Sequence, residues 1–570
     1  MLALGERRPG GPGRGLQRGP GGCGEGGVGL GKGHRPMIER CHRATPVPRA
    51  ESAVVCSLCA KGLSVVEIEL KFQVPAGAEA AVRRAVGTAQ ARQQRLRARY
   101  LDTPDHRLAR SRAALRLRDE GAHWVQTFKA EGDNPMQRLE HEVELPGGEP
   151  PPDPDLARHA NTPAAEALAR ALGMTVLAGD GRAQGLALHF ETDIQRLSRV
   201  VRLPGGTRVE LAFDVGVIRA GGREWPVCEL EFELVQGEPA DLLALAQRWV
   251  ERHGLWLDVR SKAERGHLLA AGRWASPPAR GAAPPLRNSQ RPERALQALM
   301  RAALGQVLAN AAVLADAGLP ALDERDEYLR QCRIGLRRLR TVLRVLASPE
   351  ATRLRADPAW EAALAEVFRR LGLQRDQDAL AQGLLPALQA AGAPWTGALQ
   401  TSAAEVDVGA ELRDPGFTRL LIALLAFVQT PVSAPQEASA GPTLRRWMRA
   451  ALAPLHKQVR RDAKAYATLD EAARHRLRKR IKRLRYLLEM SASLWPAKAL
   501  ARHLAALRQA QDALGSEHDQ VLAQALFTGA AAQEPRAWWA VGWLQAARQT
   551  QVPQCAQALQ ALRRTDPAWD

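Results

Sequence analysis

Cysteine is scarce and scattered: Cys23, Cys41, Cys56, Cys59, Cys228, Cys332 and Cys555 are the only seven in 570 residues. An odd, dispersed set in so long a chain argues against a disulfide framework and for a reducing, cytoplasmic compartment. Cys56-x-x-Cys59 is half of a zinc-ligand pattern, but no second pair follows and the four-ligand requirement is unmet. Aromatic residues make up 5% of the chain, thin for a protein that stacks single-stranded bases on aromatic rings. No apolar run nears the roughly 20 residues needed to cross a bilayer. The longest, Leu420 to Val428, reads as buried helix. The N-terminus lacks the apolar core of a secretory signal, and no Gly-x-x-x-x-Gly-Lys-Ser/Thr phosphate loop occurs. A membrane partner is therefore not expected.

Positive charge is in excess. Lys and Arg outnumber Asp and Glu by 80 to 61, a formal charge of +19, which implies an anionic partner. Phosphate recognition needs charge and hydrogen-bond donors without stacking, so the low aromatic content leans that way. No recognition motif supports nucleic acid, and nucleic acid is not expected. Hydrophobic residues at 45% are ample for packed cores, and the length implies two or three domains.

Residues 1–63 are rich in Gly, Pro and Arg without periodicity, the composition of a disordered leader; a start codon assigned too early would produce one. From residue 64 to 272 short runs alternate apolar with polar, the period of half-buried strands. They are Val66–Phe72, Ala114–Arg118, Trp124–Lys129, Leu139–Leu145, Arg208–Asp214 and Val227–Leu234, with helical stretches near 76–97, 163–172 and 239–253. The fold class expected is α+β, mostly antiparallel. Residues 273–290 form a Pro/Ala-rich linker. Residues 291–565 are Ala-, Leu- and Arg-rich with helical period, broken near Thr430 to Pro442.

The helical halves repeat. Arg333–Arg340 matches Arg478–Arg485 at an offset of 145, and Cys332, Leu336, Leu339 and Leu343 correspond to Leu477, Ile481, Leu484 and Leu488. Each set is spaced as one buried helix stripe. Leu371–Gln377 echoes Leu514–Gln520 at an offset of 143. A duplicated helical bundle accounts for both.

In a strand, residues i and i+2 share a face about 6.6 Å apart. Glu67, Glu69 and Lys71 therefore share one face, as do Arg116 and Arg118; Thr127 and Lys129; Arg138, Glu140, Glu142 and Glu144; Glu210 and Asp214; and Glu229, Glu231 and Glu233. A sheet with its polar side in water is the plain reading. Against it, Glu recurs in doublets and triplets, and like charges along a strand repel unless cations sit among them. If the sheet curls into a barrel, the charged face becomes a lumen in which carboxylates hold Mg²⁺ or Mn²⁺ and basic side chains hold phosphate oxygens.

Glu67-x-Glu69-x-Lys71, Tyr100-Leu-Asp-Thr103, Leu115-Arg-Leu-Arg118, Thr127-Phe-Lys129, Arg138-x-Glu140, Asp214-x-Gly216, Cys228–Glu233 and Ser261–Gly266 stand in the order of the CYTH family, the triphosphate tunnel metalloenzymes, which this region resembles. The resemblance implies an eight-stranded antiparallel barrel with triphosphate along its axis. By the same analogy Glu67, Glu69 and members of Glu229, Glu231 and Glu233 hold the metal, while Lys71, Arg116, Arg118, Lys129, Arg138, Arg196 and Lys262 line the phosphate path. Glu140, Glu142 and Asp214 then serve a second metal or position water.

Residues 474–485 carry eight Lys or Arg, and residues 328–348 six Arg, neither with an acid. The pattern His475-x-Leu-Arg478-x-x-x-Lys482-Arg-Leu-Arg-Tyr486 resembles the CHAD family, whose α-helical members bind inorganic polyphosphate between two helical halves. The resemblance carries that role to His475, Arg478, Lys482, Arg483 and Arg485, and in the first copy to Arg333, Arg337, Arg338 and Arg340. Arg330 stands where that copy would have its histidine; His518 and His456 are further candidates. Together the two resemblances lead to an inorganic triphosphatase with a polyphosphate-binding helical domain. A thiamine triphosphatase, a class IV-type adenylyl cyclase and a non-catalytic polyphosphate scaffold are the alternatives.

Overall fold

The computed structural model describes residues 65–121, 123–132, 136–145, 147, 151–174, 185–347, 354–379, 383–394, 406–432 and 442–570. The leader with Cys56 and Cys59 lies outside them, as do most of the break at 430–442 and the side chains of 373–377 in the second repeat motif.

The N-terminal part is a closed antiparallel barrel. Its eight strands are β1 (Val65–Gln73), β2 (Arg92–Asp102), β3 (Ala113–Asp119), β4 (Trp124–Glu131), β5 (Gln137–Leu145), β6 (Ala187–Arg202), β7 (Arg208–Ala220) and β8 (Arg223–Gln236). They pair in the order β5-β4-β3-β2-β6-β7-β8-β1, and β1 closes the ring by pairing with β5; a two-residue β9 (Trp256–Leu257) adds to the edge of β1. Four helices pack on the barrel: α1 (Glu79–Val86), α2 (Arg107–Arg110), α3 (Pro163–Leu172) and α4 (Pro239–His253). A fifth, α5 (Lys262–Ala270), delivers Lys262 to the lumen at one end.

The pattern of the strands is inside out. Leu70, Phe72, Phe213, Leu230 and Phe232 point outward into a core shared with α1 and α4, while the charged faces turn inward. The stretch 76–97 is not one helix: α1 ends at Val86, Gly87 caps it, and residues 92–97 pair with β6. Arg95 and Arg97 alternate there with Leu96 and Ala98, so the strand period wins once the glycine has ended the helix.

The C-terminal part is all helical: α6 (Pro292–Ala315), α7 (Arg325–Leu346), α8 (Pro358–Ala379), α9 (Leu385–Ala390), α10 (Val408–Arg413), α11 (Pro415–Gln429), α12 (Leu444–Lys464), α13 (Glu471–Met490), α14 (Ala497–Ala530) and α15 (Trp538–Arg564). The duplicated basic segments are α7 and α13, which pack against each other. Their matched stripes are buried throughout. Among the described residues α6 is long and apolar enough to cross a membrane, although Arg301, Gln306 and Asn310 interrupt its apolar run. Of its most apolar window, 72% is buried inside the protein, so it serves as a core helix. Asn310 and Gln306 are satisfied there by Ala279 and Gln331.

Barrel and helices meet over α4 and α11, and share one continuous apolar core. The buried Arg260 bridges from Asp258 beside the barrel to Asp316 at the end of α6, at 2.8 and 2.7 Å.

Candidate functional site

Strand register sets the lumen. Glu69 stands opposite Glu233, Lys71 opposite Glu231, and Asp214 opposite Glu229. On the other wall Lys129 is opposite Glu140 and Thr127 opposite Glu142. Such like-charged neighbours survive because cations reach between them.

Two clusters result. In the first, the Lys129 ammonium donates to Glu67 at 2.6 Å and lies 3.0 Å from Glu140 and 3.4 Å from Glu69. Arg138 approaches Glu69 at 3.5 Å, and Arg116 lies between Glu140 and Glu142 at 3.6 and 3.4 Å. Burial holds the Glu67 carboxyl well above its usual range, and burial also pushes Glu233 up to about 7. Glu140 goes the other way, because Lys129 and Arg116 outweigh its burial. Arg118 and Thr127 meet Glu142 lower on this wall.

In the second cluster, Arg196 grips Asp214 through two hydrogen bonds of 2.7 and 2.6 Å and reaches Glu231 at 2.8 Å. Lys262 contacts Asp214 at 2.7 Å, Glu231 at 2.9 Å and also Glu229. The oxygens of Asp214, Glu229 and Glu231 lie within 4.8 Å of one another, a spacing a single metal ion can span. Burial opposes the charge on Lys262, but these three carboxylates hold its pKa well above the usual value.

Of the lumen residues expected from the sequence, Glu144 and Glu229 are not on the cavity wall, Glu229 being buried behind it against Lys262 and Arg265, and the rest line the cavity. The five carboxylates taken as one metal set divide. Glu67, Glu69 and Glu233 surround Lys129, whereas Glu229 and Glu231 join Asp214 around Lys262. Lys71 donates to the backbone oxygen of Arg260, and burial lowers its pKa. Sequence reasoning missed Arg265, which lies inside the quoted Ser261–Gly266 motif and is buried against Glu229. It also missed Arg92, Arg202 and Arg208 along the cavity wall. The signal was present for Arg202 and Arg208, which continue the inward faces of Arg196 and Glu210 at even spacing.

An all-carboxylate donor set suits a hard divalent cation such as Mg²⁺ or Mn²⁺. Lys262 already balances the acids, so the site fits a metal that arrives with an anionic ligand to draw the lysine and arginines away.

On the helical part, Arg337 and Lys482, equivalent in the two repeats, crowd together with Arg478 and Arg485. Among the described residues neither Arg337 nor Lys482 has an acidic partner within ion-pair distance. Burial, then Arg337 and Arg478, push the Lys482 ammonium down to about 6. Arg337 also lies over the rings of Phe368 and Tyr486, and Arg485 over Tyr486.

Other expected residues diverge from this centre. Arg338 turns to Gln306 of α6 at 2.8 Å, and Arg333 donates to Leu371 at 3.1 Å. Arg340 pairs with Glu361, and Arg483 neighbours Arg344 and Arg480. His475 packs on His518 in a small cavity of about 240 Å³ beside Arg474 and Arg478. Arg330 is neutralised by Glu327, and His456 packs on His503 and Trp569.

The CYTH domain family matches residues 66–267 and the CHAD domain family residues 298–528, so the chain carries both domains. The inorganic triphosphatase of Haemophilus influenzae is 30% identical over 175 residues, or 30% of this chain and 45% of that relative. The chain therefore spans less than half the length of the curated relative it matches. Among solved structures, the CHAD domain from Ricinus communis is 26% identical with a TM-score of 0.42, over 51% of this chain and 98% of that one. A Hippeastrum protein assigned as an adenylyl cyclase, with a dominant triphosphatase activity, is 21% identical with a TM-score of 0.28, over 36% of this chain and 96% of that one.

Proposed function

We propose that the barrel, within residues 64–272, hydrolyses inorganic triphosphate to diphosphate and phosphate, and that the helical part, residues 291–565, binds inorganic polyphosphate. The observation that carries the first half is a closed lumen lined by interleaved carboxylates and cations, with Asp214, Glu229 and Glu231 converging around Lys262. A bound Mg²⁺ or Mn²⁺ would neutralise charge on non-bridging phosphate oxygens. In this reading Asp214, Glu229 and Glu231 would hold one ion, and Glu67 and Glu69, with Glu233 beside them, a second. Lys71, Arg116, Arg118, Lys129, Arg138, Arg196 and Lys262 bind and align the phosphate chain. Glu140 and Glu142 orient the attacking water.

An inorganic substrate is favoured over a nucleotide because the ring of Tyr100, on the cavity wall, is already stacked on Phe190 at 4.4 Å. At 5% exposure it offers little open ring surface to a base. For the helical part, the half-buried Lys482 set against Arg337, neither with an acid within ion-pair distance among the described residues, is the electrostatic signature of a site built for a polyanion. Cys228, Cys332 and Cys555 as free thiols fit the cytoplasm.

The test is phosphate release from triphosphate with Mg²⁺ or Mn²⁺, run beside ATP, thiamine triphosphate and long-chain polyphosphate, with EDTA controls. Glu67→Gln with Glu69→Gln is expected to abolish release while polyphosphate binding by the full chain persists. Unchanged turnover in that variant would refute the tunnel assignment.

A further inference from the structure

The cavity that begins in the lumen does not end at the barrel rim. Its wall continues over Arg273, Ser276 and Arg280, between α5 and α6, and then over Arg301, Ala302 and Gly305 of α6. The cavity, which is open to solvent, has a volume of about 1730 Å³, whereas pockets for drug-sized ligands run roughly 300–1,000 Å³. A triphosphate is smaller than such a ligand, so most of this space is not needed to hold one. On the α6 side Ala302, Gly305 and Ala309 alternate with larger residues, and a Cβ added at Gly305 would meet no atom within 4 Å.

Charge differs between the two parts. Inside the barrel, Lys129, Arg196 and Lys262 each meet at least two carboxylates. In the extension, Arg273 and Arg301 donate only to backbone oxygens, of Ala275 and Val428, and the Arg301 Nε is buried with no partner. Among the described residues no acid pairs with Arg273, Arg280 or Arg301. The nearby acids are already engaged: Glu264 with the Ser276 hydroxyl at 3.0 Å, and Glu131 with Arg112 at 3.0 Å. A roomy, acid-poor space opening from a phosphate-binding lumen, with guanidinium groups in its wall, suits more of the same ligand.

We propose that this extension is a second phosphate subsite, built jointly by the linker and α6, which holds the part of a linear polyphosphate chain that lies beyond the phosphates in the lumen. The inference rests on the reading of the barrel as a triphosphate hydrolase and widens its substrate class to longer phosphoanhydride chains. Each turnover adds one water across a P–O–P bridge. The water oxygen bonds to phosphorus, the bridging oxygen leaves with the electron pair of the broken bond, and the water's protons end on the products or solvent. Orthophosphate and a chain one unit shorter result. Arg280 and Arg301 serve binding only, since neither reaches the acidic clusters.

The experiment compares the full chain with Arg280→Ala, Arg280→Ala/Arg301→Ala and the matching Lys variants, on triphosphate and on a polyphosphate of defined length well above three. Loss of one charge-assisted contact is worth roughly a tenfold change. The KM for the long chain is therefore expected to rise about tenfold in the single variant and further in the double, with partial rescue by Lys, while triphosphate kinetics stay unchanged. Arg280 makes no hydrogen bond or ion pair that folding depends on, so the single variant reads out even where Arg301→Ala unfolds the interface. Equal KM shifts on both substrates, no shift on either, or a wild type that cleaves triphosphate but leaves long chains intact would each overturn this inference alone. A wild type that releases no phosphate from triphosphate would overturn both the inference and the reading beneath it.

Discussion

Lys482 offers a quantitative test of the cationic centre between α7 and α13. Its side chain is half-buried and crowded by Arg337 and Arg478, and desolvation and then these arginines push its pKa down to about 6. Its unfolded value lies near 10.4. Between those two values the unfolded chain carries a proton that the folded chain has shed, so stability rises with pH across that window. The penalty is therefore full below about pH 6 and gone above about pH 10.4. Lys482→Met keeps a similar volume and removes the charge. Replacing an ill-compensated buried charge by a packed apolar side chain gains roughly 1–4 kcal/mol, so the melting temperature at pH 6 is expected to rise, and the gain to shrink as pH increases. Binding behaves oppositely. A polyanion favours the protonated amine, so polyphosphate binding at this centre is expected to take up a proton, and affinity to fall above about pH 6 with a slope approaching tenfold per pH unit. Titration calorimetry of the full chain in EDTA, in two buffers of different ionisation enthalpy, counts that proton directly. Wild-type affinity that is flat from pH 6 to 8, or a methionine variant that is less stable at pH 6, would refute the reasoning.

Other outcomes follow from the same geometry. Glu231→Gln removes a charge shared by Arg196 and Lys262 and is expected to lower metal-dependent kcat by about a hundredfold or more, read against unchanged polyphosphate binding. Asp316→Asn deprives the buried Arg260 of one of its two carboxylates. A stability loss of about 1–3 kcal/mol is expected in thermal unfolding, with reduced turnover because the Arg260 backbone oxygen holds Lys71. Gly266→Ala would drive a methyl into the Phe190 ring; a cost of roughly 1–3 kcal/mol and loss of activity through a displaced Lys262 are expected, and a fully active, equally stable variant would show that α5 is not seated as described.

The strands that were legible in the sequence are those with one mostly apolar face and one face that carries several charges. In β1, β3, β4, β5, β7 and β8 the alternation survives along most of the strand, and the inward positions were assigned correctly to one face before any barrel was known. β2 and β6 were not legible. The first four residues of β2, Arg92 to Arg95, are exposed, so neither face is apolar there. β6 places Phe190 and Ile194 on the same inward face as Arg196 and Ser198, which blurs the alternation. Pattern alone could not supply closure either, because the pairing of β1 with β5 joins residues some 70 positions apart. The duplication of the helical part was legible because Leu and Ile keep the buried stripe in both copies. The divergent arginines were not: Arg337 and Arg338 are neighbours in sequence, yet one faces Lys482 and the other Gln306. Helical geometry sends adjacent residues about 100° apart, so a basic run cannot be read as a basic surface.

That distinction separates the two halves of the proposed function. Buried cations in the lumen are balanced by carboxylates, so a phosphate chain that draws those cations away would leave the carboxylates without counter-charge, which a divalent ion held among Asp214, Glu229 and Glu231 would supply. Arg337 and Lys482 have no such acids to displace within ion-pair distance among the described residues, and on the proposed reading phosphate itself would complete their charge balance. Hydrolysis is therefore expected to vanish in EDTA, while polyphosphate binding by the helical part is expected to survive it. If binding were lost together with turnover, the cationic centre between α7 and α13 would not be the polyphosphate site, and the lumen would have to account for both.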